Sequence, residues 1–192
     1  MTTTDIRVAF DRAAQKRRSS LFRRFLRHPG GYIPLAIFVL IVLVGIFAPL
    51  LAPMDPNFVD LSAAKAAPGP EHLLGGDSTG RDILSRLIYG TRTTLWGALI
   101  TIVTALVIGV PAGVAAGYFG GAFDRAATWI SDALQSIPGM IILLVVAAGS
   151  RNNFELLMAT VGVFMVPGYF RIARSQTLAV RGEPYIDAAR VS

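Results

Sequence analysis

Cysteine is absent from this 192-residue chain, histidine occurs twice, and only 16% of the residues are charged. Without cysteine there is no disulfide framework and no thiolate metal site. Lysine occurs only at Lys16 and Lys65, and no Gly-x-x-x-x-Gly-Lys-[Ser/Thr] run exists, which excludes ATP binding through a P-loop. His28 and His72 lie far apart, and no His/Asp/Glu cluster has metal-ligand spacing, so no metal and no cofactor bound by the chain is expected. No nucleophile–base arrangement is recognisable, so no catalytic residue is assigned. Soluble domains carry about 25% charged residues. The shortfall here, beside 53% hydrophobic residues, is the composition of a membrane protein.

The distribution agrees with the composition. Residues 33–52, 93–123, 133–150 and 156–170 carry no charge. The first three match or approach the roughly 20 apolar residues of a transmembrane helix. The fourth reaches that length if it extends past Arg171, with that side chain snorkelling to the headgroups. The expected fold class is therefore all-α and polytopic, with spans at about 33–52, 95–117, 127–149 and 156–173 and a connector at 53–94. The first run is too long and too far along the chain for a cleavable signal peptide.

The net charge of +6 is placed for a membrane rather than for nucleic acid. Arg7, Arg12, Lys16, Arg17, Arg18, Arg23, Arg24 and Arg27 precede the first span. Such segments stay cytoplasmic, so the N-terminus is expected inside, and four spans return the C-terminus there. In that topology 13 basic residues lie inside and 5 outside. Phe10, Ala13, Ala14, Leu21, Phe22, Phe25 and Leu26 sit among the arginines at helical spacing. They suggest that 1–31 is a basic tail with a helix lying on anionic lipid. His28-Pro29-Gly30-Gly31 breaks that helix.

Beyond the first span, Pro49, Pro53 and Pro56 end the helix, and Pro68-Gly69-Pro70 keeps the next stretch irregular. Gly75, Gly76 and Gly80 allow a tight turn. Asp77, Ser78 or Thr79 can cap a helix, Thr79 with Asp82 resembling a capping box. Ile83, Leu84, Leu87 and Ile88 form an apolar stripe, and Gly90 is a plausible stop. In the second span Gly97, Thr101, Ala105, Gly109, Gly113 and Gly117 recur every fourth residue, a ridge that lets another helix approach closely. Pro111 suggests a kink. The third span holds Asp132, Gln135, Ser136 and Pro138-Gly139. An ionisable residue there is a functional-site hypothesis by default. Only two turns from the inner surface, Asp132 could equally pair with Arg125 or an N-terminal arginine.

Glu183, Pro184, Tyr185, Ile186, Asp187, Ala188, Ala189 and Arg190 read as the start of a compact helix. Pro184 suits its first position and Glu183 places negative charge at its N-terminus. Tyr185, Ala188, Ala189 and Ser192 share one small-residue face suited to contact.

Residues 75–92, with Gly75, Asp77, Gly80, Arg81, Asp82 and Arg86, resemble the signature before the second span of dipeptide/oligopeptide/nickel ABC importer permeases, in particular the C-type subunit. Phe47 to Pro56, at the end of the first span, is similar to the same subfamily, and Pro167 to Arg171 and Glu183 to Arg190 are similar to its later part, so the resemblance runs from about Leu21 to Ser192. It implies a type I ABC importer permease fold, with four of the usual six spans present and 32–192 as the N-terminal part of the transmembrane domain. Residues 181–192 would begin the EAA loop, whose helix docks on an ATPase subunit. The implied partners are a second permease subunit, two ABC ATPases that use ATP and Mg, an extracytoplasmic solute-binding protein and the bilayer of the bacterial inner membrane. Asp187 stands where the motif often has Glu, and Gly76 and Ser78-Thr79 are atypical of the outer signature. The family's loop continues past Ser192, so the resemblance implies a truncated, split or incompletely represented permease. The alternatives are a non-transporting four-span scaffold or a secondary transporter, for which Asp132 is the sole midspan candidate.

Overall fold

The computed structural model describes residues 28–150 and 153–181. Of the expected basic tail 1–31, residues 1–27 lie outside the described residues, as does the expected contact helix from Glu183 to Ser192, while residues 29–31 already open the first helix with His28 as its cap. The chain divides into two compact units, Met1–Thr93 and Thr94–Ser192.

In the first unit, α1 (Pro29–Ile46) starts with proline at its first position and is apolar all round. Its side chains are largely exposed, Phe38 and Leu40 at 60% each, as suits a surface solvated by lipid. Phe47 leaves the helix, and α2 (Ala48–Leu51) follows with Ala48 buried. A short 3-10 turn (Leu61–Ala63) is capped by Asp60, whose carboxylate accepts from the Ser62 amide at 2.9 Å.

Helix α3 (Ile83–Phe119) begins in this unit and continues into the second. Its 37 residues span about 56 Å, well beyond the ~30 Å hydrocarbon layer. The expected stop at Gly90 is incorrect. Gly90 lies inside α3 without a positive φ, because one glycine costs only about 1 kcal/mol against cooperative propagation on both sides. Pro111 is likewise carried inside α3.

The second unit contains the rest of α3, α4 (Gly121–Ser136), α5 (Gly139–Gly149) and α6 (Phe154–Arg181). Gly120, with φ of 67°, closes α3 by donating to Ala116 O and opens α4 by accepting from the Asp124 amide. The third span is not one helix. Its two halves, α4 and α5, meet at 78°. Pro138 has no amide proton and disfavours helix at the residue before it, and Ile137 is extended at φ −90°, ψ 127°. Among the described residues three helices, α1, α3 and α6, are each long and apolar enough to cross a membrane, and the bent pair makes a fourth crossing if it counts as one span.

The four-residue ridge of α3 lies against α6. A methyl group at Gly109 would come within 2.9 Å of Val166 O, one at Gly117 within 2.7 Å of Thr177 Cβ, and one at Gly113 would strike Phe170 O. Gly97 is closed by Phe154 and Met158. The approach is reciprocal, since Gly162 of α6 faces Thr101 O and Thr104. Thr101 Oγ1 donates to Met158 O at 3.1 Å, and Ala105 is fully buried.

Gly113→Val should lower the thermal stability of the detergent-solubilised protein by about 1–3 kcal/mol, because the obstacle is backbone and cannot repack. Gly90→Ala, with open space around the added methyl, should instead stabilise by about 0.5–1 kcal/mol. Equal unfolding temperatures for the two variants would contradict a glycine-dependent contact.

Candidate functional sites: the connector turn and the polar junction of α4 and α6

The segment 75–86 folds around two aspartates. Asp77 Oδ1 accepts from the Thr79 amide at 2.8 Å, the Thr79 hydroxyl at 2.7 Å and the Arg81 amide at 3.0 Å, while Oδ2 pairs with Arg86. These bonds, the Arg81 amide foremost, hold its carboxyl far below the ordinary aspartate range. Gly80 reaches φ 81° at the turn, and its carbonyl accepts from the Asp60 amide at 3.2 Å. The backbone of Asp60 passes so close that any side chain at Gly80 would collide with it. The Gly75 carbonyl accepts from Ile83 N at 3.1 Å, and its own amide donates to His72 O at 2.9 Å. The carbonyl of Asp77 receives Lys65 N at 2.9 Å, which ties the segment to 60–66.

Asp82, rather than Asp77, Ser78 or Thr79, caps α3. An antiparallel bridge between Gly76 and Asp82 holds 77–81 in a turn, so no residue there can begin the helix. Asp82 is 3% exposed, and its Oδ2 accepts from the Ser85 amide at 2.8 Å. The expected box between Thr79 and Asp82 is therefore replaced by a cap from Asp82 to Ser85. Ser85, fully buried, accepts from Met54 N at 3.1 Å. Burial pushes the Asp82 carboxyl up, but the Ser85 and His72 bonds outweigh it and the net shift is downward. His72 Nδ1 lies 3.1 Å from Asp82 Oδ1. Sequence reasoning left His72 without a role; ten residues separate the pair, and only the turn brings them together. Arg81, half-buried, keeps its Nε buried without a hydrogen-bond partner among the described residues.

The second cluster joins α4 to α6. Arg171 Nη2 donates to Asp132 Oδ1 at 3.1 Å and to Gln135 Oε1 at 2.6 Å. The expected partner Arg125 is thus corrected to Arg171; the N-terminal arginines, the other expectation, lie outside the described residues. Asp132 and Arg171 lie on neighbouring helices, whereas Arg125 is seven residues back, nearly two turns down α4. Arg171 spends Nη2 on α4. Three residues further on, Arg174 grips Asp124 with both Nε and Nη2, the latter at 2.6 Å. Arg181 Nη1 approaches Gly117 O at 3.4 Å, near the C-terminal end of α3. Sequence reasoning missed the Asp124–Arg174 pair, because the two lie fifty positions apart and neither residue carries a local signal. The ridge residues Gly97, Gly109, Gly113 and Gly117 bring α3 beside the same helix, α6. Glu183, Pro184, Tyr185, Ile186, Asp187, Ala188, Ala189 and Arg190 fall outside the described residues. Among the described residues no group of three or more His, Asp or Glu is placed to hold a metal ion.

Two family descriptions match this chain. "N-terminal TM domain of oligopeptide transport permease C" covers residues 18–68, and "Binding-protein-dependent transport system inner membrane component" covers 109–192. The glutathione transport system permease protein GsiD of Pectobacterium atrosepticum is 31% identical over 184 residues, 95% of this chain and 61% of that protein. The probable D,D-dipeptide transport system permease protein DdpC of Escherichia coli is 35% identical over 154 residues, 80% of this chain and 52% of that one. The dipeptide transport system permease protein DppC of Haemophilus influenzae is 29% identical over 174 residues, 88% and 59% of the two chains. The chain spans about half to three-fifths of the length of these curated relatives.

Asp82→Ala should cost about 1 kcal/mol from the lost cap and increase hydrogen exchange over residues 54–86, with Asp77→Ala loosening the same amides. The carboxyls of Asp77 and Asp82 are both lowered from the ordinary 3.8. Their contribution is therefore complete above that value and is lost as pH falls through the folded values. Exchange protection that stayed constant through this acidic window would contradict the assignment. For the second cluster, Asp124→Arg and Arg174→Asp should each destabilise, and the double exchange should recover a coupling of about 0.5–3 kcal/mol in a double-mutant cycle. Strictly additive losses would show that the pair is not coupled.

Proposed function

The chain belongs to the family of binding-protein-dependent transport system inner membrane components, in its oligopeptide permease C branch, and on that premise we propose that it is a permease subunit of an ATP-driven importer of short peptides. The observation that carries this reading is alignment along 95% of the chain with a transport system permease. The names of the other relatives, both for dipeptide systems, support a peptide as the solute.

In this reading the subunit supplies half of a transmembrane path, and a second permease subunit supplies the other half. Two ABC ATPases, using ATP and Mg, would drive it from the cytoplasm, and a solute-binding protein would deliver solute from the far side. The basic residues before α1 support a cytoplasmic N-terminus. The connector at 53–94 then faces outward, where a rigid, hydrogen-bonded turn suits contact with the binding protein. At the other face, 181–192 begins the loop on which an ATPase docks, with Glu183, Pro184, Tyr185, Ile186, Asp187, Ala188, Ala189 and Arg190 as the contact residues.

The polar junction supports a mechanical role for α6. The described part of the helix runs to Arg181, next in sequence to the proposed docking segment, and Arg174 ties it to α4 while the glycine ridge ties it to α3. A displacement applied after Arg181 would therefore move several helices together.

Co-purification of the assembled complex tests the docking segment. Asp187→Lys combined with Ala188→Trp should reduce ATPase recovery at least severalfold at equal membrane insertion, and solute uptake should fall with it. Unchanged recovery would count against docking at this segment.

A further inference from the structure

Asp132 and Arg171 are ion-paired, yet their side chains remain 59% and 52% exposed. Arg171 lies seventeen residues beyond Phe154, about 26 Å along α6, which places it within or at the margin of a ~30 Å hydrocarbon layer. An arginine can extend its stem toward headgroups, but a short aspartate cannot. A carboxylate exposed at that depth is costly against lipid and calls for water or a polar partner. The pair is also incompletely used. Both bonds of Arg171 leave from Nη2, so Nε and Nη1 are open among the described residues, as is Oδ2 of Asp132.

Beside the pair lies an open groove of 390 Å³, lined by Gln135, Phe164, Met165, Gly168, Tyr169 and Ile172. Gln135 belongs to both features, accepting from Arg171 while it lines the groove. An apolar concavity of roughly 300–1,000 Å³ with a few convergent polar groups is the general form of a small-solute site.

We propose that this face of α4 and α6 lines a water-filled path and that Asp132, Gln135 and Arg171 form a contact point for a small zwitterionic peptide. The solute's carboxylate takes the open donors of Arg171, and its ammonium takes the open oxygen of Asp132. The apolar wall of Phe164, Met165, Gly168, Tyr169 and Ile172 accommodates side chains without selecting among them. This rests on the transport reading above and adds to it a site within the permease itself.

These 192 residues contain no cysteine, so a thiol introduced among them can be followed in the assembled complex in native membranes, with the complex lacking that thiol as background. Met165→Cys or Tyr169→Cys should react with a charged, membrane-impermeant thiol reagent in permeabilised vesicles. Leu144→Cys, at a position 68% exposed on apolar α5, should react only with a lipid-soluble reagent. A millimolar unmodified dipeptide should slow charged-reagent labelling at Met165→Cys at least threefold. The same dipeptide N-acetylated and C-amidated should not. Adding Arg171→Gln should leave labelling intact and raise the half-protecting dipeptide concentration at least tenfold.

Labelling of both groove positions only by the lipid-soluble reagent would place this face on lipid, and labelling by neither reagent would place it under another subunit; each result overturns the proposal. Equal protection by the capped dipeptide, or no protection by either form, overturns the contact point. Peptide uptake by cells carrying the unaltered complex separates the two readings. Absent uptake counts against import itself, whereas uptake without charged-reagent labelling counts against this path alone.

Discussion

Close approach of α3 to α6 is the constraint on which the second unit depends. Inside a bilayer the lipid tails are as apolar as the helix surfaces, so association cannot draw on the hydrophobic effect as it does in water. It rests instead on dispersion between closely packed atoms and on a few interhelical hydrogen bonds. Both need the backbones near each other. Gly97, Gly109, Gly113 and Gly117 meet that need from α3, and Gly162 meets it from α6. The bond from Thr101 to Met158 O is possible only because the helices are this close. The guanidinium of Arg181 reaches toward Gly117 O, where α3 nears its end.

Charge is used differently in the two units. In the connector, Asp77 and Asp82 spend their oxygens on backbone amides and neighbouring side chains, so each stabilises the path of its own segment. One shapes the turn and the other starts α3. Between α4 and α6 the charges act across helices, Arg174 on Asp124 and Arg171 on Asp132. These pairs are salt bridges between elements, and they link α4 to α6. At the bend Ile137 is extended, the conformation favoured before a proline, and Pro138 has no amide proton to donate.

Much of this architecture was legible in the sequence. Charge-free runs announced α1, α3 and α6, because the length of a membrane span is set by bilayer thickness and composition reports it directly. The small-residue ridge was legible because its period equals that of the helix. The third crossing was less so. Pro138-Gly139 was visible, but a proline inside an apolar run can break a helix or lie within one, as Pro111 and Pro167 lie within α3 and α6. Which outcome applies depends on what packs around it. The same ambiguity misplaced the cap of α3, where Asp77, Ser78, Thr79 and Asp82 are all competent capping residues. The bridge from Gly76 to Asp82 chose among them.

By itself, then, the sequence determined the membrane setting, the helical class, the spacing of the ridge and the motifs that mark the family. Each of these is written in local composition or in a period that a single helix expresses. Only the tertiary structure decided which charges meet. His72 with Asp82, Arg171 with Asp132 and Arg174 with Asp124 are separated by ten, thirty-nine and fifty residues. Side-chain pairing acts over a few ångströms, and distance along the chain sets no limit on it once the backbone has turned.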